Sequence, residues 1–540
     1  MSSIITIGYL SQELTPDQLS STDVDMLLSG LINNMTVEAD LEIAKHATIA
    51  FLNFLHFAHK NMSVDSEREV ILNTIIKLQE HPILEVRVYA MQCLVEVSRL
   101  YYDYLNLNRD NLFKVTINQM MTGDEKVSIQ AYEFWCSIAD EEIKRIANKS
   151  SLNMYCDKYL DSLFSVISGH LLNRNVEKEK AEPDAWNNVK AASCLLSNLS
   201  QCTNANLINY IFEMISNYFS SPDAKARDST ILAFGSVLET HQVDTIRKII
   251  PSALMSLVDM LNDQSSEVRG TTAWAIKKIT EYHAEVFGEQ QLFDAFINKI
   301  QENVVNSNKK VVVQLLDSLN YLVMKTNPSP DQIQTTGLIS KHVPNLLPML
   351  LNAAYTKDAF DPEHNITLAA FYAMGSIIDY APMDCWGFIQ EFFSSIFSAF
   401  DASLNIDNFT SGDARNAYQG YIATVISACT ASEKIKMNIQ EAKAVYNLLE
   451  KSFEQRQCVY EEGLMACSSI ALTLGPSFVD ILPSFGKFLT WALKQWQEVE
   501  LCRIAINSTS DLVRSCGSEM ESYLLQITPL ILDVLEVRIF

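Results

Sequence analysis

Apolar and polar positions follow one another along the chain in a long, regular rhythm. An apolar helical stretch gives way to a short polar joint, often with Pro or Asp. A Val-Arg-like pair then opens a second apolar stretch rich in Ala and Leu. The clearest copies are His81-Pro82-Ile83-Leu84-Glu85-Val86-Arg87, Ser221-Pro222-Asp223-Ala224-Lys225-Ala226-Arg227 and Asp263-Gln264-Ser265-Ser266-Glu267-Val268-Arg269. Weaker copies begin at Glu42, Glu125 and Lys309. Lys45 to Arg87 is 42 residues, Arg87 to Ser128 is 41, Arg227 to Arg269 is 42 and Arg269 to Val312 is 43. Near the C-terminus, Glu462 to Leu501 is 39. A period close to 40 with two helices per unit is the HEAT/armadillo register. One helix pair cannot bury both of its apolar faces, so successive pairs stack and share a continuous core. The pattern predicts an all-α fold, a HEAT-repeat superhelical solenoid of about twelve helix pairs, running as a single array over 1–540.

The joints carry their own expectations. Asp223 or Asp263 is expected to cap the second helix of its repeat, and Arg227 or Arg269 to pair with an acid of the adjacent repeat. Two spacings are irregular. Ser128 to Lys190 is 62 residues, and the excess falls on a charged stretch at about 173–185 that reads as an exposed insert loop. A second excess around Tyr355–His364 reads as another joint. Both ends are apolar, with Ile4, Ile5, Ile7, Tyr9 and Leu10 at one and Leu530 to Phe540 at the other. Capping repeats need polar outer faces, so the reading is a piece of a longer solenoid, with a natural short form whose ends a partner covers as the alternative.

Composition narrows the class. Only 16 Gly and 14 Pro occur in 540 residues, well below the usual share of about 12%, which suits long helices and short joints. Lys and Arg number 41 against 65 Asp and Glu, a net charge of −24. That balance argues against nucleic acid as a partner, because phosphate contacts need clustered Lys and Arg. The 11 Cys form no CxxC pair and lie mostly in apolar helical patterns, where Cys acts as a small hydrophobe. No uninterrupted apolar run reaches about 18 residues, so no membrane span is expected. The N-terminus has no basic region of the secretory kind. A reducing compartment, cytoplasm or nucleus, follows from these features.

Chemistry is harder to find. Phosphate-binding Gly loops, GxSxG and HExxH are all missing from the sequence. His56 and His59 sit three apart without an obvious third ligand and read as helix-surface residues. Cys458 and Cys467 read as core. Asp140-Glu141-Glu142 reads as a charged helix end rather than a cation site. The expectation is a protein that is not an enzyme, with no catalytic residues, no cofactor and no metal. Such a solenoid acts by surface, and an acidic inner face suits basic, extended partners.

Several segments carry a more specific resemblance. Val127–Glu142, with Glu133-Phe134-Trp135 and Asp140-Glu141-Glu142, resembles a repeat of the importin-beta family. So do Val86–Tyr104, Trp186–Ala192, Ala226–Glu239 and Val268–Glu281, while Thr6–Leu19 resembles an early inner repeat of that family rather than its start. By this comparison about three repeats precede the chain and several follow it. The resemblance implies a nuclear transport receptor of cytoplasm, nucleus and the nuclear envelope or pore. Its partners would be importin-alpha or basic nuclear-localisation cargo, phenylalanine-glycine nucleoporins and the Ran GTPase, with neither nucleic acid nor membrane bound. The alternative is a HEAT scaffold for another multiprotein assembly.

Three surfaces carry over from the family. Leu28, Ile32, Val70 and Val115 match its nucleoporin pocket, although Asn108 stands where the family has tyrosine. Trp186 and Trp274 match a tryptophan array that stacks on adaptor cations, while Ala224 and Asp317 replace two further tryptophans. Glu133 and Asp140 match acids of a patch for Ran or a basic partner. The insert's Glu177, Glu179, Glu182 and Asp184 match an acidic loop, here diluted by Arg174, Lys178 and Lys180. The family's main Ran site lies in repeats that precede this chain, so the resemblance implies weakened Ran binding.

Overall fold

The computed structural model describes residues 1–105, 109–204, 206–240, 243–327, 332, 334–355, 365–431, 435–456 and 459–537. It is built of α-helices and short 3-10 turns, with no strand among the described residues. Asn108, Cys458 and most of the expected joint at Tyr355–His364 lie outside them. The chain falls into two compact units, Met1–Ile249 with Gln264–Ala275, and Ile250–Asp263 with Ile276–Phe540.

The first unit begins with α1 (Ser2–Glu13), α2 (Ser21–Asn34), α3 (Leu41–Phe54), α4 (His59–Ser63), α5 (Asp65–Lys77) and α6 (Leu84–Leu100). It continues with α7 (Arg109–Thr122), α8 (Glu125–Ala147), α9 (Tyr155–Lys158), α10 (Leu160–Leu172) and α11 (Val176–Ala181). Then come α12 (Asn188–Cys202), α13 (Asn206–Tyr218) and α14 (Ala224–Ser236). The helices α15 (Val243–Asp259) and α16 (Ser266–Tyr282) give residues to both units.

Two rows emerge from the packing. The second helices of the repeats, α3, α6, α8, α12 and α14, lie side by side with α1 at the head of the row. The first helices α5, α7, α10 and α13 form the other row. The apolar stripes of both rows face each other, as stacking of helix pairs requires. Phe113, Phe134, Trp135 and Tyr155 are fully buried between them, with the Phe113 ring 5.1 Å from Trp135 and 4.9 Å from Tyr155.

The joints behave partly as expected. Asp40, Asp124 and Asp223 cap α3, α8 and α14, each carboxylate accepting a backbone N–H of the first turn. Asp263 ends the 3-10 turn Met260–Asn262, three residues ahead of α16. The recurring arginine has a local target. The Arg87 guanidinium donates to the carbonyls of His81 and Pro82, Arg227 to those of Ser221 and Pro222, and Arg269 to that of Gln264. Each reaches back five or six residues and closes the turn of its own repeat.

The second unit repeats the scheme. Its helices are α17 (Gln290–Asn306), α18 (Lys309–Thr326), α19 (Val343–Ala354), α20 (Ile366–Asp379), α21 (Trp386–Ala402) and α22 (Gly412–Thr430). They are followed by α23 (Ile439–Arg456), α24 (Glu461–Leu474), α25 (Leu482–Leu493), α26 (Val499–Cys516) and α27 (Glu521–Val537). The helices α18, α20, α22, α24 and α26 make one row. The 20 residues Glu461–Asp480 are long and apolar enough by composition to cross a membrane, although Glu461, Glu462 and Asp480 keep them from being an uninterrupted apolar run. Their apolarity has a packing reason, because α24 is sandwiched between α22 and α26 and must offer apolar side chains to both.

Candidate functional site

The face presented by α1, α3, α6 and α8 holds a groove of about 730 Å³. Its walls follow helical spacing. Gln92, Val95, Glu96 and Arg99 line it from α6, and Ile129, Gln130 and Glu133 from α8. Ser11 and Gln12 enter from α1, Asn53 and His56 from α3 and the turn after it, and Trp186 closes one end. Two residues expected at different surfaces, Glu133 and Trp186, therefore meet in one site.

Charge in the groove is partly internal. Arg99 pairs with Glu133 and lies 3.9 Å from Glu96, and its Nε donates to the Ser137 hydroxyl. These are half-exposed pairs, worth about 0–1 kcal/mol each, so a basic partner can displace Arg99 at small cost. Asp140 lies two turns beyond Glu133 on α8, exposed, and accepts from the Asn198 amide at 2.8 Å. Partial desolvation pushes its carboxyl above the usual range, opposed by Lys144 and Arg99.

The two tryptophans differ. Trp186 is 55% exposed. Its loop is pinned by Lys190, whose ammonium donates to the carbonyls of Pro183 and Ala185, and by Asn187, which caps α12. Trp274 is half-buried and does not line the groove. Its ring lies on Gly235, where an added Cβ would meet it at 2.3 Å. This tryptophan is committed to packing.

The insert at 173–185 is not a plain loop, because Val176–Ala181 forms the short helix α11, capped by Asn175. Its three basic residues are each paired with carboxylates, Arg174 half-buried and the two lysines exposed. Arg174 pairs with Glu179 and with Asp228 of α14, Lys178 with Glu125 of α8, and Lys180 with Glu267 of α16 at 2.9 Å. The Ser265 hydroxyl and then Lys180 hold the Glu267 carboxyl down at about 2. Glu179 is consumed by Arg174, whereas Glu177, Glu182 and Asp184 remain exposed.

The candidate nucleoporin residues lie on the first-helix side. Leu28 and Ile32 are on α2, Val70 on α5 and Val115 on α7. Leu28 is buried, Ile32 and Val115 are half-buried and Val70 is 54% exposed. The helices α5 and α7 are neighbours, and α2 is tied to the residues just before α5 by Asp25, which accepts from Lys60 and Asn61.

Glu142 departs from its expected place at a charged helix end. It is fully buried and lies beside the thiols of Cys156 and Cys202, the one such ligand cluster among the described residues. The other described cysteines fit the core reading apart from the exposed Cys194 and half-buried Cys136.

Stacked pairs of this kind, with joint-capping acids and turn-closing arginines, define a HEAT-repeat protein, and a HEAT-like repeat profile matches residues 224–279. A second profile, importin subunit beta-1-like TPR repeats, matches residues 291–539. Importin subunit beta-1 of Arabidopsis thaliana is 25% identical over 540 residues, covering 96% of this chain and 61% of the relative. A crystal structure of importin beta matches with a TM-score of 0.87 at 20% identity, over 98% of this chain and 62% of that one. A Kap95:Nup1 complex matches with a TM-score of 0.84 at 22% identity, over 98% and 62%. The chain is similar to importin-beta proteins over nearly all of its own length and spans about three-fifths of the length of these relatives.

Proposed function

We propose that this chain is a nuclear transport receptor of the importin-beta type, carrying proteins into the nucleus and working between cytoplasm, nucleus and the nuclear pore. The groove of the first unit carries this reading. It combines carboxylates at Glu96 and Glu133, an exposed indole at Trp186 and amide side chains at Asn53, Gln92 and Gln130. A basic helix or extended basic segment, from an importin-alpha adaptor or from cargo, fits that chemistry. Its cations replace Arg99 at Glu133 and stack on Trp186, a contact of about 0.5–2 kcal/mol. Asp140 and the exposed Glu177, Glu182 and Asp184 extend the acidic surface toward Ran or the same basic partner. Nucleoporin phenylalanines would use the first-helix side at Ile32, Val70 and Val115, with Leu28 as the floor. A matched relative is solved with Nup1, which supports that partner class. The mode of action is binding, without catalysis, cofactor, nucleic acid or membrane.

Isothermal titration with the basic N-terminal segment of an importin-alpha tests the groove. Trp186→Ala is expected to weaken binding about 2- to 30-fold, and Glu133→Gln to flatten its salt dependence. Trp274→Ala should leave the affinity of the folded protein unchanged. Equal heats for wild type and both groove variants would refute the assignment.

A further inference from the structure

We propose that Glu142, Cys156 and Cys202 form a binding site for a thiolate-preferring divalent cation of the zinc(II) kind. The three come from separate elements, the later part of α8, the short α9 and the end of α12. Their ligand atoms all lie within 4.8 Å of one another. Glu142 and Cys156 are completely buried and Cys202 is 6% exposed.

The cage around Glu142 is built for an anion. Its carboxylate accepts from the Tyr102 hydroxyl at 2.9 Å, from the Tyr155 N–H and from the Cys156 N–H at 3.3 Å. The Tyr102 oxygen is itself occupied as acceptor by the Asn153 N–H, so its hydrogen is directed to Glu142. These donors hold the carboxylate in place, and no Lys, Arg or His pairs with it among the described residues. A divalent cation taken up by this carboxylate and the two sulfurs binds as the thiolates form, releasing two thiol protons to solvent.

The donor set selects the metal. Two sulfurs with one carboxylate suit zinc(II) rather than magnesium or calcium, which take oxygen ligands. Tetrahedral zinc places such ligand atoms about 3.5–3.8 Å apart, so a contraction of about 1 Å completes the site. Tyr102 and the two backbone donors then orient the carboxylate as an outer shell. A water molecule supplies the fourth ligand. Cys156 sits on α9, a four-residue helix introduced by Met154 in the left-handed region. It is tethered to the end of α12 by Asp157, which accepts from the Asn204 N–H.

The test uses the full chain, reduced, stripped with a chelator and refolded with cobalt(II) as the probe. One cobalt per chain is expected, with a thiolate-to-cobalt charge-transfer band that bleaches when zinc(II) displaces it. Cys202→Ala, which suits an apolar surrounding, should abolish the band and the rise in Tm that zinc(II) gives the wild type. Glu142→Gln should keep a thiolate band while weakening cobalt affinity about tenfold or more. Cys194→Ser, at an exposed thiol, should change neither. The proposal is overturned by a wild type without the band, by a Cys156→Ser/Cys202→Ala variant that retains it, or by thiols that oxidise to a disulfide under excess zinc(II) with no metal held.

Discussion

A hydrogen atom is all the room that Trp274 leaves at position 235. The ring of one second helix lies where the next would otherwise carry a Cβ, 2.3 Å away. Gly235→Ala is therefore expected to cost about 1–3 kcal/mol by overpacking and to shift the emission of Trp274. In a thermal series, the double change Gly235→Ala/Trp274→Ala should cost less than the sum of the singles, since the second removes what the first collides with. Additive losses would show that the two residues do not meet. Sequence alone shows a tryptophan and leaves its use open. Whether an indole stacks on a partner or on its own protein is decided by a glycine 39 residues earlier. Glu142 escapes a sequence reading for the same kind of reason. An acid inside Asp-Glu-Glu looks solvated until Tyr102 and the Tyr155 backbone are seen to surround it.

At the scale of elements, α11 shows how an inserted segment is anchored. The pair Lys178–Glu125 is half-exposed, so Lys178→Ala should change stability by no more than about 1 kcal/mol. Arg174 is different, because its partner Asp228 is only 4% exposed on the side chain. Arg174→Ala strands a buried carboxylate and should cost about 3–5 kcal/mol. Limited proteolysis within 173–185, read beside the unfolding midpoint, checks both. Comparable effects of the two substitutions would contradict this account. The helix pairs themselves were legible in the sequence, because a 40-residue period with a cap expected at Asp223 leaves little choice, whereas the matching caps at Asp40 and Asp124 emerged only in the structure. The role of the recurring arginine was not, because the carbonyls it takes are brought within reach only by the bent turn. The groove was half legible. Glu133 and Trp186 could be singled out, but Glu96 and Arg99 join them from a helix about 40 residues earlier and Gln130 from one turn before Glu133, and only polar residues recurring at i, i+3 and i+4 on otherwise apolar second helices hinted at them.

At the scale of the whole molecule, two surface chemistries are separated by helix row. Carboxylates and Trp186 line the second-helix face of the first unit, while Val70 and Val115 sit on first helices. Apolar slots for single phenylalanine rings are weak one at a time and gain through multiplicity. Val70→Asp, at an exposed position that leaves the core intact, should reduce retention on phenylalanine-glycine beads several-fold and leave the titration with basic peptide unchanged. Undiminished retention would remove Val70 from the nucleoporin surface. The net charge of −24 acts on the other arm. For the proposed basic partners it would speed encounter and make that encounter sensitive to salt.

The arginines that close their own turns bear on descent as well as on stability. Arg87, Arg227 and Arg269 satisfy turn carbonyls from within the same forty-residue stretch. A gene duplication or excision of one such stretch carries both donor and acceptor with it, and leaves these bonds intact on either side of the cut. A stretch copied or removed whole would therefore cost none of these arginine–carbonyl bonds in the repeats on either side.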